Sequence, residues 1–233
     1  MGKKIFPAGL CLAVAMGLPF LGAWMYFVLF SESSFARVVY IFTKGFTLVW
    51  PGAVWLLVEK KKISLKTIFR RGHLRALSAG FVSGFIIGLA LLALYRFSFL
   101  GSFMQSHSGE IRSRVEDLGF LEHFFVYALF LSVGHSLLEE YYWRWYIFGG
   151  LSQLIKPGGA YLGAGLSFAA HHYIVLGSCL PLVPTVIFGT AVGLGGVWWC
   201  WLYRRYESLA GCWMSHLLVD GAIMVILYDL LNA

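Results

Sequence analysis

Long apolar runs separated by short polar segments fill this chain. Seven of them are long enough to consider as membrane-crossing helices, at roughly 5–30, 38–58, 76–97, 120–148, 158–176, 180–203 and 209–231. A spanning helix needs about 20 predominantly apolar residues, so 233 residues accommodate about seven or eight with short connections. The pattern predicts an all-α, polytopic transmembrane bundle forming one membrane domain over 1–233. No internal repeat and no low-complexity tract interrupts it.

Composition strengthens this reading. Hydrophobic residues make up 59% of the chain and charged residues only 12%, about half the charge of a soluble domain. So apolar a surface needs lipid as its solvent, and no length remains for a second soluble domain. The 27 glycines fit close helix packing in lipid. The four cysteines, Cys11, Cys179, Cys200 and Cys212, form neither a CxxC nor a zinc spacing and read as reduced thiols in apolar surroundings. Lys3 and Lys4 precede an apolar run too long for a signal-peptide core, with no A-x-A site after it, so 5–30 reads as a retained span.

The net charge of +7 would suggest nucleic acid on a soluble protein. Here the basic residues gather in one loop, 59–75, between the second and third spans, and no nucleic-acid module is present. Lys60, Lys61, Lys62, Lys66, Arg70, Arg71 and Arg75 make that loop cytoplasmic by the positive-inside rule. Alternation puts Lys3, Lys4, Lys156, Arg204 and Arg205 on the same side and Arg37, Arg96, Arg112 and Arg114 opposite. With Ile63, Leu65, Ile68 and Phe69 interleaved, the loop reads equally well as an amphipathic helix on anionic lipid or as a solvated topogenic segment. Minimal extramembrane mass suits a prokaryotic plasma membrane.

Ionisable residues within spans are costly and usually mark function. The fourth run holds His135, Glu139, Glu140 and Arg144, the fifth His171 and His172, and the seventh His216 and Asp220. Glu140 and Arg144 are i,i+4 and share a helix face, so they can pair locally. Glu139 is about 100° around the helix and points elsewhere. His216 and Asp220 are also i,i+4. Burying these polar faces against one another predicts an intramembrane Glu/His/His/Asp pocket. A self-contained Glu140–Arg144 pair can serve as helix glue, whereas Glu139, His172 and His216 together are an extravagant way to hold helices. His171, His135 and Tyr142 read as packing residues. Lys44 and Asp229 receive no role.

A carboxylate beside an imidazole can activate water, and a second imidazole can donate to a developing oxyanion. No G-x-S-x-G elbow and no Cys adjoining the histidines supports a covalent nucleophile. The same groups could instead hold zinc, through Glu139, His172 and His216, although H-E-x-x-H is absent.

Three spacings then stand in order on separate apolar runs. Glu139–Arg144 fits EExxxR, Phe168–His172 fits FxxxH, and His216–Asp220 fits HxxxN/D. Over about 120–231 this resembles the CPBP family of CAAX proteases and bacteriocin-processing (ABI) proteins, which includes the type II CAAX prenyl endopeptidases. The resemblance implies a glutamic intramembrane endopeptidase acting on a membrane-associated peptide or protein, without a cofactor. By motif, Glu139 and His172 would activate water, Glu140 would pair with Arg144, and His216 with Asp220 would form the oxyanion site. The prenyl endopeptidases carry Asn where Asp220 stands. An ionised Asp cannot donate to an oxyanion, so Asp220 is expected to orient His216, and a prenylated substrate is less strongly implied. Two other classes fit the same residues: a non-catalytic immunity or scaffold protein, and a small proton-coupled transporter, although the internal repeats common in transporters are lacking.

Overall fold

The computed structural model describes residues 5–60, 73–117 and 119–232. It is 89% helical with no strand among the described residues, so the all-α expectation holds. In chain order the helices are α1 (5–29), α2 (Phe35–Val58), α3 (His73–Phe97), α4 (Phe99–Ser106), α5 (Ser108–Asp117), α6 (124–154), α7 (Pro157–Gly177), α8 (Leu182–Tyr206) and α9 (Leu209–Leu231). Five of them are long and apolar enough to cross a membrane: Ala8–Leu29 within α1, then α2, α3, α8 and α9. The fourth and fifth apolar runs are helical as well, and they carry Glu139, Glu140, Arg144, His171 and His172. The segment 98–119, unassigned in the sequence reading, holds the short helices α4 and α5. Most of the basic loop 59–75 lies outside the described residues, and so does the choice between an amphipathic helix and a solvated loop there.

Apolar side chains such as Ile41, Phe42, Leu48 and Val49 on α2, and Leu182 and Val183 on α8, are exposed. In water such surfaces would be a liability, whereas lipid-facing helices need them.

The residues fall into two compact units, Met1–Arg71 with Leu138–Leu209, and Gly72–Leu137 with Ala210–Ala233. In the first unit, buried aromatic residues at the C-terminal end of α6 tie it to α1 and α2. The Tyr142 hydroxyl donates to the Ala15 carbonyl at 2.7 Å, and Trp50 Nε1 contacts both the Cys11 carbonyl at 3.3 Å and Tyr146 Oη at 3.1 Å. Tyr and Trp suit such positions because their rings bury apolar area while one polar atom finds a partner. Pro157 at the first turn of α7 starts that helix, where its missing N–H costs nothing.

In the second unit α3 presents Ala76, Gly80, Gly84 and Gly88 as one buried small-residue stripe. It meets α9 at Gly211, Ser215 and Ala222, and the Ser83 and Ser215 hydroxyls are 3.2 Å apart. The Tyr95 hydroxyl donates to Asp229 at 2.6 Å at the far end of the same pair. A Cβ on Gly80 would overlap the Gly211 carbonyl oxygen, and one on Gly84 would lie 2.6 Å from the Ser215 carbonyl oxygen. Backbone cannot yield as a flexible side chain can. Gly80→Ala is therefore expected to destabilise the fold by about 1–3 kcal/mol, the usual range for overpacking. A lowered melting temperature in detergent would show it, and an unchanged one would count against this close approach.

Candidate active site

Helix α6 is not uniform. It runs as α-helix over Phe124–Leu129, π-helix over Phe130–His135, α-helix over Ser136–Glu140, π-helix over Tyr141–Phe148 and α-helix over Gly149–Leu154. Glu139 and Glu140 end the central α segment, where the winding changes. Turns of π-helix recur at functional sites because they re-aim side chains.

Glu140 and Arg144 are both fully buried. Oε2 of Glu140 lies 3.1 Å from Nε of Arg144, as the i,i+4 spacing predicts. The guanidinium nitrogens have no hydrogen-bond partner among the described residues, so the contact is a charge pair rather than an aligned hydrogen bond. Two aromatic rings complete the cation's surroundings. The guanidinium carbon is 4.5 Å from the Phe168 ring centre and 4.9 Å from that of Trp199. Desolvated cation–π contacts of this kind are worth about 2 kcal/mol or more. Phe168 is thus more than a motif spacer: α7 uses it as one wall of the Arg144 site. Gly196 on α8 makes room for it, since a Cβ there would come within 2.9 Å of the Phe168 ring.

Glu139 is buried at 7% exposure and meets α7. His171 Nε2 lies 3.6 Å from its Oε1. The His171 ring stacks on Trp143 at 5.5 Å, with 4° between the planes. Besides the packing role expected of it, His171 reaches the carboxylate, although the family spacing selects its neighbour. His172 is brought to the same place. One ligand-type atom from each of Glu139, His171 and His172 lies within 4.8 Å of the others. His172 Nδ1 sits 2.9 Å from the Phe168 carbonyl. A carbonyl can only accept, so Nδ1 carries the proton, and in the neutral ring the lone pair is on Nε2. That tautomer can accept a proton from water.

One carboxylate with two imidazoles is an acceptable donor set for a divalent metal. Among the described residues, Glu139, His171 and His172 have spacing for such a set; the sequence reading joined Glu139 and His172 with His216. His216 and Asp220 belong to the second unit. There His216 is buried and its Nε2 lies 3.5 Å from Asp220 Oδ1, as their i,i+4 spacing predicts. Trp213, one turn earlier on α9, donates through Nε1 to the Val133 carbonyl at 2.9 Å.

Sequence reasoning missed Trp143 and Trp199, which hold His171 and Arg144 from other turns or other helices. No local spacing announces either contact.

No curated protein and no solved structure matches this chain. A family model does, described as type II CAAX prenyl endopeptidase Rce1-like, over residues 121–222. The matched segment contains Glu139, Glu140, Arg144, His172, His216 and Asp220. With the five apolar helices, the match makes the chain an integral, multi-pass membrane protein. Over residues 121–222 the chain is similar to the CPBP family of CAAX-type intramembrane proteases, which the match supports.

Proposed function

We propose that the protein hydrolyses a peptide bond of a membrane-associated protein or peptide, using a water activated by Glu139 and His172. The observation that carries this reading is the division of labour between adjacent carboxylates. Glu140 is committed to Arg144 at 3.1 Å, while Glu139 is buried beside two imidazoles. Glu139 takes a proton from water, and the hydroxide attacks the scissile carbonyl. The proton then passes to the leaving amine as the C–N bond breaks. His172, with Nε2 as the basic nitrogen, orients the water. His216, assigned by its motif, donates to the oxyanion, and Asp220 sets the tautomer of His216 through their 3.5 Å contact.

The reading requires no metal. Purified protein shown metal-free by elemental analysis is expected to keep full activity. Activity that appears only when zinc is restored would make the Glu139, His171 and His172 cluster a metal site instead. The reading also places the protein in a prokaryotic plasma membrane with loop 59–75 cytoplasmic, which accessibility labelling of that loop tests. The substrate is sought by comparative proteomics of membranes from cells carrying wild-type protein or Glu139→Gln. A membrane-associated protein that accumulates uncut only with the variant supports the proposal. Identical cleavage patterns overturn it.

A further inference from the structure

His171 is the imidazole beside Glu139 to which neither the motif spacing nor the proposed mechanism gives a task. Its neighbours fix the ring. It stacks on the buried Trp143 ring at 5.5 Å, with 4° between the planes. It meets Phe168 edge-on at 5.7 Å and 77°, and its centre lies 4.1 Å from that of His172. Packing alone does not account for a histidine here. A phenylalanine would make the same ring contacts without placing polar atoms inside a membrane bundle.

The two ring nitrogens have different surroundings. Nε2 lies 3.6 Å from Oε1 of Glu139. Nδ1 is buried and has no hydrogen-bond partner among the described residues. A neutral imidazole has one N–H and one lone pair. With the proton on Nδ1, a buried donor would go unmet while a lone pair faced a carboxylate. With the proton on Nε2, the donor points at an acceptor and only a lone pair is left over, the cheaper group to orphan. The 3.6 Å separation is longer than a hydrogen bond, as is common before substrate closes a site. His172 has the opposite arrangement, with Nδ1 donating to the Phe168 carbonyl at 2.9 Å and Nε2 basic. The adjacent histidines thus divide their work as the adjacent carboxylates do.

We propose that His171 is a positioning residue: its Nε2–H holds Glu139 in the orientation from which the carboxylate takes a proton from water, and Trp143 holds His171 in turn. The proposal rests on the peptidase reading above. It also means that Nε2 of His171 does not ligate a metal, because a ligating nitrogen carries no proton.

Nuclear magnetic resonance of the purified protein in lipid nanodiscs, carrying isotope-labelled histidine, places each ring proton by its nitrogen–proton couplings. The His171 signals are those lost in His171→Gln. The expected result is a proton on Nε2 whose resonance is displaced in Glu139→Gln. A bare Nε2, including one that takes up added zinc, overturns the proposal, and so does a resonance indifferent to Glu139→Gln. Kinetics with an S-farnesylated Cys-aliphatic-aliphatic-Met peptide as probe separate positioning from packing. His171→Phe keeps the ring contacts and loses the donor, whereas His171→Gln loses the ring and keeps an N–H. In His171→Phe, kcat is expected to fall by about tenfold or more, the scale of one hydrogen bond to a charged group, with KM unchanged. His171→Gln should recover most of that loss, although its melting temperature in detergent is the lower of the two. A packing role would give activities in the order of the melting temperatures, so His171→Phe as active as His171→Gln or more overturns the proposal. If wild type leaves the peptide uncut, the peptidase reading fails for that substrate class, and the spectrum alone then decides whether His171 holds Glu139.

Discussion

Glu139→Gln is expected to abolish cleavage, by about a thousandfold or more, while leaving the protein folded and inserted. General-base catalysis alone typically contributes 10²–10⁴-fold, and an amide cannot take a proton from water at neutral pH. The substitution keeps volume and shape, so the burial of this position is preserved. The Glu140–Arg144 pair and the Trp143–His171 stack are untouched by it. The adjacent Glu140→Gln is expected to behave differently. It leaves the buried Arg144 cation without its counter-charge, so activity and stability fall together. The comparison therefore separates the two carboxylates by paired measurement of cleavage rate and melting temperature in detergent. Normal cleavage by Glu139→Gln would remove the residue from the mechanism.

What was legible in the sequence was local. Two i,i+4 spacings, Glu140 with Arg144 and His216 with Asp220, appear as side-chain contacts at 3.1 and 3.5 Å. Helix geometry alone fixes such neighbours. The membrane-spanning, all-α character followed from bulk composition. Contacts set by packing between helices were not legible. Phe168 and Trp199 enclose the Arg144 guanidinium from α7 and α8, but each reads in sequence as an ordinary apolar residue. His171 and His172 are adjacent, and the family spacing favours His172. Only the approach of α7 to α6 brings His171 Nε2 within 3.6 Å of Glu139. The π-helical winding after Glu140 has no sequence signal either. It changes which side chains share a face over Tyr141–Phe148, where a 3.6-residue period no longer applies.

Arg144→Ala is expected to be the most destabilising substitution in the site. Removing one partner of a buried ion pair costs about 3–5 kcal/mol, because the remaining charge stays desolvated. Glu140 is fully buried, so it cannot turn to water without disrupting α6. Phe168 and Trp199 would also face a cavity in place of a cation. The melting temperature in detergent should fall sharply, and activity with it. Lys at this position should recover only part of the loss, because an ammonium lacks the planar guanidinium that packs against the two rings. Glu140→Gln combined with Arg144→Met should recover more stability than Arg144→Ala, since neutral groups of similar size leave no buried charge. If the double variant is stable yet inactive, the pair's contribution is to hold Glu139 on its heading toward His171 and His172. If it is stable and active, the pair serves the fold alone. An unchanged melting temperature for Arg144→Ala would mean that Glu140 is already neutral or otherwise compensated, and the division of labour between the two carboxylates would have to be redrawn.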